Sequence, residues 1–136
     1  MAVGHFLNVD LDIESAADLR PLAAELEAVS VVLHAETTGR GRNRVSLVRL
    51  ESLNCDTAHG PDAVIHDLCG VIEALSPAGR ALWYSATVRQ FDVGYDAQPI
   101  PGHPAARFVL RPDTIGRAAR LGVTLAVTVY PTDPAC

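Results

Sequence analysis

The residues whose types and spacing could do chemistry begin with two aspartates near the start of the chain. Asp10 and Asp12 lie two positions apart in residues 6–14, where apolar and polar side chains alternate strictly. This alternation is typical of a half-buried strand, so both carboxylates would point from one face, roughly 7 Å apart. That separation is too large for one shared proton but suits the joint binding of one cation. His34 would join them if the next strand presents it on the same face.

The same polar face is expected to collect side chains from the other predicted strands. Its predicted members are Asn8, Asp10, Asp12, His34, Glu36, Gln90, Asp92, Arg107, Arg111, Thr128 and Tyr130. Three interpretations stay open. The carboxylates form ordinary ion pairs with arginines of neighbouring strands, the face binds a protein partner, or Asp10, Asp12 and His34 form a metal or acid–base site.

A second group of candidate metal ligands consists of Cys55, His59, His66 and Cys69. Two thiols and two imidazoles make up the donor set of a structural zinc site. Their spacing departs from the close ligand pairs of zinc fingers, although His66 and Cys69 are three apart on a predicted helix. The alternative is that Cys69 is a small core residue and that the histidines lie at the surface.

Composition restricts the function classes. The formal net charge of −5 disfavours nucleic-acid binding, which depends on clustered cations. All 11 cationic side chains are arginine, which excludes a Schiff-base or phosphate-loop lysine. We expect no signal peptide and no membrane span. The three cysteines, including Cys136, have no framework spacing and are expected to be reduced thiols. These features predict a cytoplasmic protein, and no motif implies a cofactor.

The length of 136 residues predicts a single α+β domain over residues 1–136. Strands are predicted over residues 6–14, 29–37, 44–53, 88–96, 108–110 and 123–130, with helices between them. The order is three βαβ units in sequence. It predicts ferredoxin-like split βαβ units forming a mostly antiparallel six-stranded sheet with helices on one face.

The apolar side of each predicted strand follows from the same alternation. We expect inward side chains from Leu7, Val9, Leu11 and Ile13, from Val29, Val31, Leu33 and Ala35, from Phe91, Val93 and Tyr95, and from Val123, Leu125, Val127 and Val129. Residues 44–53 alternate imperfectly, and we predict a bulge there. Ser15 is the expected cap of the first helix, and Gly122 is expected to end the last one in a left-handed conformation.

Two stretches carry a family resemblance: FLNVDLDIES (residues 6–15) and LRPDTI (residues 110–115), followed by the strand through Val129 and Tyr130. They resemble uncharacterised small bacterial proteins of a domain-of-unknown-function type. The closing pattern is also similar to a family whose members are suggested as immunity proteins of polymorphic toxins. The resemblance covers the two ends of the chain, has Arg111 where a Ser or Thr cap is expected, and brings no catalytic residues.

The expected function is that of a non-enzymatic protein-binding domain of immunity or adaptor type. Its acidic open face would bind a basic partner such as a toxin, using Asn8, Asp10, Asp12, His34, Glu36, Asp92, Arg107 and Tyr130. Acidic side chains would speed association and select the partner, and Tyr130 would supply affinity. The alternatives are a small metal-dependent or acid–base enzyme using Asp10, Asp12 and His34, and a homo-oligomer such as a dimer.

Overall fold

The computed structural model describes residues 6–54, 60–97, 102 and 107–131. In these residues the chain forms five strands and four α-helices. In chain order they are β1 (Phe6–Ser15), α1 (Arg20–Glu27), β2 (Ser30–Thr38), β3 (Val45–Ser52), α2 (Pro61–Glu73), α3 (Pro77–Ser85), β4 (Val88–Asp96), α4 (Pro112–Arg120) and β5 (Thr124–Tyr130). A short 3-10 turn, Gly41–Asn43, lies between β2 and β3.

The strands form one mixed sheet in the order β2-β3-β1-β4-β5. The pairings β2–β3, β3–β1 and β1–β4 are antiparallel, and β4–β5 is parallel. The chain is therefore an α+β protein, as predicted. The central position of β1 places its polar side chains in the middle of the sheet.

The prediction of a fifth strand over residues 108–110, which would have made six strands in all, is wrong. This segment docks elsewhere: the Phe108 ring packs 5.8 Å from the ring of Phe6 and 5.6 Å from that of Tyr95, between centroids. The backbone N–H of Arg111 donates to the Asp62 side chain at 2.8 Å, which fixes the segment beside the start of α2. The aromatic packing and this hydrogen bond hold residues 108–111 in this position, where they do not pair with a strand of the sheet.

The helices pack on one face of the sheet, α1 against β2 and α2 against β1 and β3, while α3 packs on α1 and α4 on α2. The predicted inward side chains of β1 and β4 are largely confirmed. The fully buried core includes Val9, Leu11, Ile13, Leu22, Leu26, Leu50, Ile65, Leu68, Ile72, Trp83 and Phe91. The opposite face of the sheet carries the polar side chains.

Local irregularity in β1 corrects one predicted core residue. The register between β1 and β4 shifts between Phe6 and Asn8, so Phe6 and Val9 are both buried. Leu7, predicted to face the core, is instead 45% exposed. Strict alternation fails where an extra residue enters a strand.

A second irregularity, in β2, corrects the predicted stripe of that strand. Its register with β3 shifts between Val32 and His34, which leaves Val31 and Leu33 exposed, against prediction, and puts Val32 toward the core. The bulge predicted for residues 44–53 is therefore misplaced. β3 itself alternates regularly, burying Ser46, Val48, Leu50 and Ser52.

Proline marks the first turn of all four described helices. Proline fits there because the first amides of a helix have no intrahelical acceptor. The Ser15 hydroxyl accepts from the Ala17 amide instead of capping α1, which begins at Arg20, so the predicted cap is wrong. Gly122 has φ of +70° and follows α4 as predicted. No helix in the described part of the chain is long and apolar enough to cross a bilayer.

Candidate functional site

The face of the sheet opposite the helices, hereafter the open face, carries three carboxylates in one row. Asp10 of β1 is the register partner of Asp92 of β4. On the other side, the pairing of Leu11 with Leu50 brings Glu51 of β3 level with Asp10. Neighbouring strands lie about 4.8 Å apart, so the row Glu51–Asp10–Asp92 concentrates negative charge at the middle of the sheet. We call these three residues the acidic row.

One amide joins two members of the acidic row. The Asn8 Nδ2 group donates to Asp10 Oδ1 at 3.2 Å and to Glu51 Oε1 at 3.1 Å. A single NH2 group thus holds two carboxylates close together through its two hydrogens. The Thr128 hydroxyl donates to Asp92 Oδ1 at 2.6 Å at the far end of the row. Both donors are neutral, so they orient the carboxylates without cancelling their charge.

The electrostatic consequence is visible at the central carboxyl. Partial burial, followed by the charge of Glu51 and with smaller contributions from Asp12 and Asp92, raises the pKa of Asp10 to about 6. The nearby Arg49 acts in the opposite direction. Asp10 therefore changes charge close to neutral pH, which an ordinary aspartate does not do.

The second aspartate of β1 has a different environment. Asp12 is the register partner of Arg49, whose Nε donates to Asp12 Oδ1 at 2.6 Å. This hydrogen bond is the largest cause of the raised pKa of the Arg49 guanidinium. Asp12 is thus paired with an arginine of the neighbouring strand, as the first of the three interpretations of this face expected.

His34 lies on the open face as predicted, but apart from the aspartates. His34 on β2 and Asp12 on β1 are both register partners of Arg49 on β3. The strand that carries Arg49 therefore lies between them. The imidazole Nε2 lies 3.1 Å from Glu36 Oε2, and both side chains are about half exposed. Among residues 6–54, 60–97 and 107–131, no group of three or more His, Cys, Asp or Glu side chains is arranged to hold a metal ion.

Two hollows flank the acidic row on or beside the open face. A groove of about 360 Å³ is lined in part by Asp12, His34, Arg49 and Gln90. A cleft of about 510 Å³ at the other end is lined in part by Asn8, Glu51 and Tyr130.

Tyr130 lies at the end of β5, level with Asp96, and is 49% exposed. Its ring lies over Gly94, where a Cβ would be 3.4 Å from the ring and 3.0 Å from Asn8 Oδ1. A side chain at position 94 would therefore push the Asn8 amide aside by a few tenths of an ångström and would contact the ring. Arg107, also predicted for this face, is exposed but belongs to no strand, because the predicted fifth strand does not form.

Arg49 and Glu51 were missed by the sequence-based reasoning. Both lie in residues 44–53, where the alternation of apolar and polar residues is imperfect. Reading the odd-numbered residues of that stretch as the side opposite Ser46, Val48 and Leu50 would have placed both on the open face. Their neighbours in the sheet follow only from the register.

The second candidate group lies partly outside the described residues, which exclude Cys55, His59 and Cys136. Cys69 is a free, fully buried thiol on α2, and burial raises its pKa to about 11. His66, one helical turn earlier, is exposed, and its Nε2 lies 3.9 Å from Asp113 Oδ2 on α4. Cys69 and His66 therefore differ sharply in exposure, the first in the core and the second at the surface.

Comparisons with protein-family models, curated proteins and solved structures found no match to this chain.

Proposed function

We propose that the open face is the binding surface for a basic protein partner. The observation that carries the proposal is the acidic row, three carboxylates on adjacent strands with the pKa of Asp10 raised to about 6. Holding Asp10 ionised at neutral pH costs the isolated protein free energy, because burial and Glu51 both oppose its charge. A cationic group placed over the row would remove that cost, and this relief would make the free energy of binding more favourable.

The surroundings of the row suit a protein partner. Tyr130 at one end offers a half-exposed aromatic ring of the kind that anchors interfaces. Val31 and Leu47 on the neighbouring strands add exposed apolar surface on the same side. A surface with acidic side chains near its centre and an aromatic at its border would select basic partners by charge and gain affinity from packing.

The partner class that fits this chemistry is a protein with a cationic active surface, such as a nuclease toxin. Nucleases present arginine and lysine to phosphates, and a row of carboxylates occupies such a surface well. Support for an immunity or adaptor role consists of this complementarity and the resemblance at the two ends of the chain. As to fold, we propose that β1 to β4 with α1 and α2 form a ferredoxin-like pair of split βαβ units, which the order β2-β3-β1-β4 with antiparallel neighbours supports.

The pKa of Asp10 also favours a second candidate, an acid–base enzyme in which Asp10 takes a proton. The two functions respond differently to two substitutions. A general base is lost equally in Asp10→Asn and Asp10→Arg. A binding surface loses modest affinity when Asp10 becomes neutral and much more when it becomes positive.

The binding proposal is tested by neutralising the acidic row with side chains of the same shape. The triple variant Asp10→Asn, Glu51→Gln, Asp92→Asn is compared with a matched control that removes three carboxylates from the helices, Glu27→Gln, Asp67→Asn, Asp113→Asn. Both variants have the same net charge. Proteins captured by the wild type and by each variant are identified by mass spectrometry. Each complex is then rebuilt from purified components, and its affinity is measured by calorimetry at two salt concentrations.

The proposal expects a basic protein that binds the wild type and the control equally and binds the row variant at least about tenfold more weakly. Its affinity should fall as salt is raised. A partner that binds all three proteins equally, or one that is lost from both variants alike, would show that the open face is not the binding surface.

A further inference from the structure

Within the described residues, β5 is an edge strand that lacks the usual protection of an edge. Its sequence, TLAVTVY, is rich in Thr, Val and Tyr, which favour strands, and carries no charge, proline or glycine. In the described part of the chain it pairs with β4 on one side and ends the sheet. Proteins normally guard such strands with charges, prolines or bulges, because an uncovered edge pairs with other chains.

The backbone of β5 offers hydrogen bonds on its outer side. The carbonyl of Tyr130 points inward, since it accepts from the Ala97 amide at 3.0 Å. Successive residues of a strand direct their backbone groups to opposite edges. The N–H and C=O groups of Leu125, Val127 and Val129 therefore point away from β4.

The same three residues present apolar side chains on the helix side of the sheet. Register pairs them with Phe91, Val93 and Tyr95 of β4. Phe91 and Val93 are buried, at 0% and 2% exposure, whereas Leu125 is 47% exposed and Val127 and Val129 are each 59% exposed. The helix layer covers β4 and leaves β5 half uncovered.

The opposite edge of the sheet differs. β2 carries His34 and Glu36 and contains the register shift between Val32 and His34. Charge and irregularity are the devices that discourage strand addition. Of the two sheet edges that the described residues form, β5 is thus the one suited to pairing with another strand.

We propose that β5 pairs with β5 of a second copy of this chain, antiparallel about a two-fold axis at Val127. This register opposes Leu125 to Val129 of the copy and Val127 to itself. It uses every outward backbone group of those residues and brings six half-exposed apolar side chains into one cluster. A shift by two residues loses one of the three pairs, and Pro131, which has no N–H, ends the outward ladder.

A second copy can meet β5 through an uncharged strip. Each chain has a net charge of −5, so two copies repel each other overall. β5 is uncharged, and its apolar strip is self-complementary about the proposed axis, as a two-fold interface requires. The dimer would have one continuous sheet with both open faces on the same side. This inference does not depend on the proposed function of those faces.

The test uses sedimentation velocity on the 136-residue chain and on three variants. Val127→Lys and Val127→Glu each place like charges opposite each other at the axis, on a residue already exposed in the single chain. Leu33→Lys makes the matched change on the β2 edge, where the side chain is 48% exposed. Circular dichroism establishes that all variants are folded.

We expect the wild type and Leu33→Lys to dimerise with Kd below about 10 µM. Each Val127 variant should be monomeric, with Kd raised at least about tenfold, and an equimolar mixture of the two should recover dimers through Lys–Glu pairing. A wild type that is monomeric at about 100 µM would overturn the proposal. So would dimers that persist in both Val127 variants.

Discussion

Two aspartates of one strand, two residues apart on the same face, have opposite surroundings. Asp12 receives the Nε–H of Arg49 at 2.6 Å. Asp10 receives a neutral amide and lies between Glu51 and Asp92, and its pKa is raised to about 6. The comparison teaches that the register of neighbouring strands, rather than the strand itself, decides which carboxylate is neutralised within the fold and which retains charge for a partner.

The comparison also separates two roles. The Asp12–Arg49 pair joins β1 to β3 and helps hold the sheet together. The acidic row weakens the isolated protein at neutral pH, since each carboxylate opposes the ionisation of the next. A surface that costs stability in the free protein is expected where binding requires it.

Removing Arg49 should have the largest effect on this comparison. Arg49→Met takes away the partner of Asp12 and the cation that lowers the pKa of Asp10. We expect a loss of about 1.5 kcal/mol in the free energy of unfolding at pH 7, because the hydrogen bond is charge-assisted while the Arg49 side chain is about half exposed to screening solvent. Urea denaturation measures it. Arg42→Met, in the exposed turn after β2, is the control and should change stability by under about 0.5 kcal/mol; equal losses would contradict the account.

Neutralising Asp10 should raise the free energy of unfolding, whereas removing Arg49 should lower it. The folded pKa of about 6 exceeds the unfolded value of 3.8, so the folded protein binds the extra proton between about pH 4 and 6 and loses stability as pH rises through that window. Asp10→Asn should therefore stabilise at pH 8. The full shift corresponds to about 3 kcal/mol, which solvent screening reduces to about 1 kcal/mol. The gain should vanish at pH 4; destabilisation at pH 8 would count against the acidic row.

The amide of Asn8 should contribute a smaller amount. Asn8→Ala removes the hydrogen bonds to Asp10 and Glu51, and we expect a loss of about 0.5 kcal/mol at pH 8 together with a further rise in the pKa of Asp10. Thr128→Val removes the hydroxyl that donates to Asp92 and serves as the control. It should leave the titration of Asp10 nearly unchanged. An unaltered Asp10 titration in Asn8→Ala would show that the amide does not support that carboxylate.

The smallest expected effect concerns the coupling of the two aspartates. In Asp12→Asn, a negative charge near Asp10 disappears and Arg49 is released from its partner, and both changes lower the pKa of Asp10. We expect the Asp10 midpoint to fall by less than about 1 pH unit. The measurement is an NMR titration of the side-chain carboxyl carbon, and a rise in the midpoint would refute the coupling.

The sequence predicted the faces of β1 and β4 because their alternation continues over eight or more residues. It therefore placed Asp10, Asp12 and Asp92 on the open face correctly. It did not predict where an extra residue enters a strand, so Leu7, Val31 and Leu33 were assigned to the wrong side. Bulges depend on the pairing of two strands and leave little trace in one.

The composition of the site was only half predictable for the same reason. Periodicity specifies which way a side chain points, but the neighbours of Asp10 and Asp12 are set by long-range register. Glu51 and Arg49 are two residues apart on β3, and a shift of the register by two would have placed either Arg49 opposite Asp10 or Glu51 opposite Asp12. The short segment through Phe108 was misassigned because its aromatic packing competes with sheet pairing.

The most direct test of the central claim is the titration of Asp10 in the free wild-type protein, followed by NMR at its assigned side-chain carboxyl carbon. We predict a midpoint near pH 6, moving to lower pH when a basic partner occupies the open face. A midpoint close to the ordinary aspartate value of about 3.9 would contradict the claim, because ionising Asp10 would then cost the folded protein no more than it costs a solvated aspartate.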